Sequence, residues 1–322
     1  MSVSPVVLFI IGKGRSGTTL LDRAAGALPG FTSLGEVWQW DRSLPPEEQL
    51  CGCGVRVGDC RVWREVARRL ALRGWGDGRR VFPASILATS RRLSTWWYVP
   101  ALLRSNGGAA RHLDGLTEWA AFCTDFYRTA AGVLGSRVLV DSSKWPLLPG
   151  PLGLVPGIEA RVVHLVRDPR AVAHSWQRAK AWTPGGEPMH RFPAWYSALS
   201  WSGRNLLSDL VRRRRGRRGL LVRYEDFVER PTESLARLQR LTGYGSTSDI
   251  PVSASGVIRL GDAHTLWGNA VRFESGAVEV TADETWRRDM NVWDRRVATL
   301  LTRPWLGRFG YRLRPDTGEC DG

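Results

Sequence analysis

The stretch Val6-Val-Leu-Phe-Ile-Ile-Gly-Lys-Gly-Arg-Ser-Gly-Thr-Thr-Leu-Leu21 decides how this chain is to be read. Its apolar run, residues 6–11, has the length and composition of a buried strand. The segment from Gly12 to Gly17 supplies a glycine-bearing turn, and Thr18 opens a helical pattern. Strand, turn and helix N-terminus together aim backbone N–H groups and a helix dipole at an anion, which makes a phosphate cradle. Gly12 and Gly17 stand where the nucleotide P-loop wants glycines, yet the lysine of that pattern would fall at Thr18. The local cation is Arg15, inside the loop. A cradle without the lysine that reaches the terminal phosphates of ATP or GTP is expected to hold a different phosphate donor.

Outward from this stretch, short β-rich runs alternate with helical patterns. Strands are expected at 6–11, 137–140, 161–166 and 220–222, and helices at 18–28, 169–178 and 231–241. That alternation predicts an α/β fold: a P-loop-like three-layer sandwich with a central, mostly parallel sheet. Residues 42–135 are less regular and read as a helical insertion or acceptor-side lid within a single domain, 1–322. From Ser246 onward loop signals dominate, with a helix expected around 283–301.

The 322 residues suffice to bury a large core, and the net charge of +15 favours anionic partners without choosing among them. Lysine occurs only at positions 13, 144 and 180, so each lysine draws notice. The apolar run 6–11 is too short for a signal-peptide core and runs straight into the cradle. No stretch approaches the ~20 apolar residues of a membrane span. A cytoplasmic location is therefore expected. With five cysteines, an odd number, a disulfide framework is not expected. Cys51-Gly-Cys53 with Cys60 offers three metal-ligand types, but no fourth stands at a recognisable spacing. The expectation is reduced, half-buried thiols in a loop and no metal.

A second basic constellation follows the third expected strand, in Val163-His-Leu-Val-Arg-Asp-Pro-Arg-Ala-Val-Ala-His-Ser-Trp176. Arg167 leaves the strand end and Ser175 lies eight residues on, in the following helix. Together they offer a bidentate hold and a hydroxyl to a phosphate at the carboxyl edge of the sheet. The plain alternative is an Arg167–Asp168 ion pair and a solvent-facing serine.

The two clusters together resemble the sulfotransferases that use 3′-phosphoadenosine 5′-phosphosulfate (PAPS) and release 3′,5′-adenosine bisphosphate (PAP). The resemblance implies that Arg15, Ser16, Gly17, Thr18 and Thr19 hold the 5′-phosphosulfate and that Arg167 and Ser175 hold the 3′-phosphate. In Arg223-Tyr-Glu-Asp226, Tyr224 matches the adenine-side contact. Asn269-Ala-Val-Arg-Phe273, followed by Gly276, looks like the late loop that closes over the nucleotide, with Arg272 as a further phosphate contact. An arginine in the first motif is nearer the tyrosylprotein, glycan and bacterial branches than the aryl and steroid enzymes. In the tyrosylprotein branch a Gly-Glu pair carries the base, and Gly35-Glu36 stands at matching spacing from Arg15. Glu36 is then the expected general base, adequate if proton removal is concerted with sulfuryl transfer. Lys144, in Val138-Leu-Val-Asp-Ser-Ser-Lys-Trp-Pro146, matches a lysine that neutralises the bridging oxygen, and Arg15 shares in stabilising the transferred charge. No metal is required by this scheme.

Two rival functions remain at this level. Val-Leu-Val-Asp141 also resembles the strand-end aspartate that positions magnesium in a P-loop kinase, although Thr18 argues against one. The run Arg212-Arg-Arg-Arg-Gly-Arg-Arg218 suggests nucleic-acid binding, but no interleaved aromatics accompany it, and no nucleic-acid partner is expected. The expected acceptor is a small molecule, a sugar or a lipid-linked hydroxyl. Trp38, Trp40, Trp96, Trp97, Trp145 and Trp182 fall near predicted loop edges, where they could line its pocket.

Overall fold

The computed structural model describes residues 4–38, 45–93, 95, 100, 114–178, 190–246 and 249–313. Trp40, Trp96, Trp97 and Trp182, named above as pocket candidates, lie outside these residues, as do Lys180 and Cys320.

Five parallel strands form the central sheet: β1 (Val6–Gly12), β2 (Phe31–Gly35), β3 (Val138–Lys144), β4 (Glu159–Val166) and β5 (Gly219–Arg223). They lie in the order β2-β3-β1-β4-β5, so β1 is central and pairs β3 on one side and β4 on the other. Side chains alternate across a strand, and β1 divides the core accordingly. Val7, Phe9 and Ile11 enter one apolar cluster with Trp63, Phe122 and Phe126. Leu8 and Ile10 enter another with Leu21, Phe227 and Leu235. Two helical layers thus cover both faces, and the expected three-layer α/β architecture is the one observed.

The four strands read from the sequence are all present; β2 was not anticipated. Phe31-Thr-Ser-Leu-Gly35 has two large apolar residues and lies at the sheet edge, where pairing to β3 rather than local pattern makes the strand. The helix Thr18–Gly26 begins where expected and ends two residues earlier. In the helix Pro169–Gln177, Asp168 caps the N-terminus by accepting from the Arg170 N–H at 2.8 Å, and Pro169 occupies the first turn. The expected single helix at 283–301 is two, Thr285–Asp289 and Val292–Leu306. Asn291 restarts the second, its side chain accepting from the Trp293 N–H at 2.8 Å. Between the last sheet helix and these lies an antiparallel pair, β6 (Val257–Leu260) and β7 (Gly276–Glu279).

The irregular region expected at 42–135 contains the helices Arg61–Ala71, Ala84–Leu93 and Leu116–Leu134. Their apolar faces join the cluster under Val7, Phe9 and Ile11, so these helices share the sheet's own core. Trp38 belongs to that core too: its ring lies 4.7 Å from Trp119 and 5.5 Å from Phe82, and its indole N–H donates to the Tyr127 hydroxyl at 3.1 Å.

The arginine run has structural employment. Arg212 and Arg213 end the helix Ala194–Arg214 and, with Arg308, converge on the buried Asp209. Their hydrogen bonds hold that carboxyl down at about 2, against the burial that would raise it. Arg215 donates to the carbonyls of Leu152 and Ala160 at 3.4 and 3.2 Å.

Two irregularities sit at the carboxyl end of the sheet. Phe9 faces Asp141 while Ile11 faces Lys144, so β3 carries one extra residue there. Ser33 faces Val140 while Gly35 faces Asp141, so β2 carries one extra residue of its own. Such bulges turn the side chains that follow them.

Candidate active site

Each of the five parallel strands delivers a candidate side chain at or just beyond its carboxyl end. The cradle follows β1, Glu36 follows β2, Lys144 ends β3, Arg167 follows β4 and Tyr224 follows β5. This is the edge at which open α/β sheets bind ligands.

Gly17 caps the cradle helix in the left-handed region, with φ of 86°, and has no side chain to occupy the first N–H groups. A Cβ there would also stand 2.4 Å from the Tyr224 ring, so glycine is required twice over. No acidic residue lies in the helix's first turn, which leaves its positive end to an incoming anion. The buried hydroxyls of Ser16 and Thr19 have no hydrogen-bond partner among the described residues. Neither do Nε and Nη2 of Arg272, whose side chain is 1 % exposed. Thr19 and the Arg272 stem both lie within 4 Å of the Cβ position of Gly268, which joins the late loop to the cradle helix. Buried donors left without acceptors are costly, and their convergence marks a place for a polyanion.

A cavity of about 200 Å³ opens on this cradle, lined among others by Lys13, Arg15, Thr18, Glu36, Lys144 and Arg204. Glu36 is the only acidic residue in that lining. It is 1 % exposed and ion-paired with the Lys144 ammonium. The Glu36 N–H donates to the Trp267 carbonyl at 3.0 Å, which fixes the residue against the late loop. The cations around it are desolvated. Burial lowers Lys13 to about 8, helped by the Arg204 and Lys144 charges, and burial lowers Arg204 to about 9. Burial also lowers Arg272 to about 10, against the pull of Glu36. Arg15 and Lys144 are the only non-glycine residues at positive φ among those described, at 71° and 65°. Holding a side chain there costs roughly 1–3 kcal/mol, a strain that concentrates at working sites.

Arg167 does not pair with Asp168, whose carboxylate is taken by Arg170 at 2.6 Å. Its guanidinium lies 4.5 Å over the Tyr224 ring, donates to the Arg15 carbonyl at 3.2 Å and reaches the Asp283 carbonyl at 2.9 Å. The two basic constellations of the sequence are therefore joined through Arg167 and Arg15. Ser175 is buried in the helix that Arg167 precedes, not solvent-facing. Tyr224 begins the helix Tyr224–Glu229 and forms the wall between Gly17 and Arg167.

Asp141 has a different occupation from the magnesium ligand considered above. Its Oδ1 accepts from the Ser143 N–H and hydroxyl at 2.9 and 2.5 Å, and its Oδ2 accepts from the Tyr127 hydroxyl at 2.7 Å. Ser143 in turn accepts from the Trp38 N–H at 2.9 Å. The carboxylate thus ties the β3 bulge to the aromatic core. Burial raises Asp141 to about 6 despite these bonds.

Lys13, Arg204, Trp176 and Asn269 line the cavity and were not named as site residues from sequence. The scarcity of lysine pointed at Lys13. Arg204 stacks on Trp145 at 3.8 Å from the middle of a long helix, where no local signal distinguishes it.

No family model matches the chain. It is 25 % identical over 331 residues to the nodulation protein NoeE of Sinorhizobium fredii (strain NBRC 101917 / NGR234), covering 97 % of this chain and 67 % of that one. Among solved structures, the sulfotransferase domain from the curacin biosynthetic pathway superposes with a TM-score of 0.44 at 15 % identity, over 97 % of this chain and all of that one. Retinol dehydratase in complex with androsterone and inactive cofactor PAP gives 0.40 at 14 % identity, over 97 % and 84 % of the two chains. No helix among the described residues is long and apolar enough to cross a membrane. The chain is thus similar over nearly its whole length to a nodulation protein and, more distantly, to solved sulfotransferase structures.

Proposed function

We propose that the protein moves a sulfuryl group from PAPS to a hydroxyl of a small-molecule, sugar or lipid-linked acceptor in the cytoplasm, releasing PAP. The observation that carries this reading is a set of buried donors without partners among the described residues, Ser16 and Thr19 at the start of the cradle helix and Arg272 beside Thr19, next to a cavity whose one carboxylate is Glu36. These donors fit a phosphosulfate, and Arg167 beside Tyr224 fits the second phosphate and the purine of the same molecule.

The chain's own residues then divide the work. Arg15, Ser16, Gly17, Thr18 and Thr19 hold the 5′ side; Arg167 and Ser175 hold the 3′-phosphate; Arg272 closes from the late loop. Lys144 is already in contact with Glu36. When the donor's charge draws Lys144 toward the leaving phosphate, Glu36 is released to take the acceptor proton. Lys144 and Arg15 stabilise charge developing on the transferred group and the leaving phosphate. Positioning supplies much of the rate, since the reacting groups meet in one small cavity.

The test is ligand-dependent thermal stability. PAP should raise the Tm, while magnesium-ATP at the same concentration should leave it nearly unchanged. A shift with magnesium-ATP and none with PAP would replace this reading by that of a kinase.

A further inference from the structure

The cysteine loop receives from the fold what its sequence lacked. Cys51, Cys53 and Cys60 are joined by His264, more than two hundred residues away in the chain, and the four ligand atoms lie within 4.8 Å of one another. Cys60 Sγ stands 3.7 Å from Cys51 Sγ, 3.8 Å from Cys53 Sγ and 3.2 Å from His264 Nδ1. Cys51 Sγ is 3.9 Å from the same ring nitrogen. Two thiolates on a tetrahedral zinc, each about 2.3 Å from the metal, lie about 3.8 Å apart, and a thiolate and an imidazole nitrogen about 3.6 Å apart. The thiol spacings match the first value, and the sulfur–nitrogen spacings bracket the second.

The backbone holds this arrangement without help from the thiols. The Cys51 N–H donates to the Val55 carbonyl at 2.7 Å, and the Gly54 N–H to the Cys51 carbonyl at 2.9 Å, which folds the loop back on itself. The Gly52 N–H donates to the Thr265 carbonyl at 2.9 Å, bringing the loop against the segment that carries His264. Approach is close: a Cβ on Gly52 would stand 2.4 Å from the Thr265 hydroxyl and 2.8 Å from the Ala263 carbonyl. Cys51 and Cys60 are buried, His264 is half-buried and Cys53 is exposed, which gives a metal a route in from solvent.

We propose that Cys51, Cys53, Cys60 and His264 bind one structural zinc ion. Three thiolates and an imidazole make a closed four-ligand set of borderline-soft donors, with no position left for substrate. The metal would cross-link the 51–60 loop to residues 263–266. That segment is also bonded to β2, through the Leu266 N–H to the Leu34 carbonyl at 2.8 Å, immediately before Glu36. This proposal departs from the sequence expectation of reduced thiols and no metal.

Untagged full-length protein should carry about one zinc per chain, and the reduced, zinc-stripped protein should take up cobalt with the intense visible bands of a tetrahedral thiolate site. His264→Ala and Cys53→Ser should each lower zinc content at least ~10-fold, whereas Cys123→Ser, a buried thiol elsewhere in the core, should keep it. Zinc alone should raise the Tm of the stripped protein. Reduced wild-type protein that shows no thiolate–cobalt bands and binds less than about 0.1 zinc per chain would overturn the proposal. So would wild-type zinc content in His264→Ala. All these readouts are independent of sulfuryl transfer, so the zinc site stands or falls apart from the proposed reaction.

Discussion

Replacing Glu36 by glutamine keeps the side chain's shape and removes the only negative charge in the cavity lining. The structure allows its two consequences to be worked separately. The first is on stability. Lys144 loses its partner and is left with Lys13 and Arg204, both of which lie on the same cavity. A contact ion pair is worth about 4 kcal/mol at an effective dielectric of 20. Lys144 keeps 15 % of its side-chain surface in water, so relaxation should reduce the net loss to about 2 kcal/mol. For a chain of this size that lowers the Tm by roughly 2–5 °C. The second consequence is on function. Loss of the proton acceptor should lower turnover at least ~100-fold. PAP binding should persist or tighten, because an anion has left the wall of an anion site. The assay pairs calorimetric titration with PAP and PAP release from PAPS over a panel of phenol and sugar acceptors. Turnover within about threefold of wild type would remove Glu36 from the base role. Loss of PAP binding in step with turnover would show that the carboxylate organises the donor side instead.

Arg167→Ala should weaken PAP at least ~30-fold, as expected for losing a charge-assisted phosphate contact; equal affinity by calorimetry would sink its assignment to the 3′-phosphate. Asp22 gives a pH test on the cradle helix. Burial raises its carboxyl to about 8, even though it accepts from the Ser33 hydroxyl and lies near Arg23. The folded state therefore prefers the protonated form, and stability from this group is full below the unfolded value near 4 and is lost as pH rises through about 8. Asp22→Asn should raise stability at pH 8 by on the order of 2–5 kcal/mol and by much less at pH 4; a pH-independent difference in Tm would contradict the shift.

What the sequence disclosed, and what it withheld, follows from the range over which each signal acts. β1, β3 and β4 are apolar runs whose burial on both faces is written into their composition, and β5, a half-buried edge strand, is a shorter apolar run of the same kind. The cradle is legible because Gly12, Arg15, Gly17 and Thr18 act within one turn of chain. β2 escaped notice because its pairing with β3 spans a hundred residues, and its own pattern is weak. The Glu36–Lys144 pair was expected as two separate roles; that they touch depends on bulges in two strands, which no local pattern announces. His264 is the clearest case. A lone histidine in a loop carries no metal signal until the fold sets it beside a cysteine loop from the other end of the chain. The arginine run at 212–218 misleads in the opposite direction: its charge is conspicuous in sequence, while much of it is spent on Asp209 and on carbonyls.

The segment from Gly261 to Glu274 receives bonds from the cradle helix, from Glu36 and from the cysteine loop. Arg23 of the cradle helix donates to the carbonyls of Gly261 and Glu274, Glu36 to Trp267, and the cysteine loop to Thr265, while Arg272 supplies its own guanidinium. On a ribosome these residues emerge long after the cradle, Glu36 and Lys144 have been made. A nascent chain that stops before Gly261 possesses every strand of the parallel sheet but none of the carbonyls in this segment that Arg23 and Glu36 bond. The surroundings of the cradle are therefore completed only once residues 261–274 have been made, long after the parallel sheet that carries it.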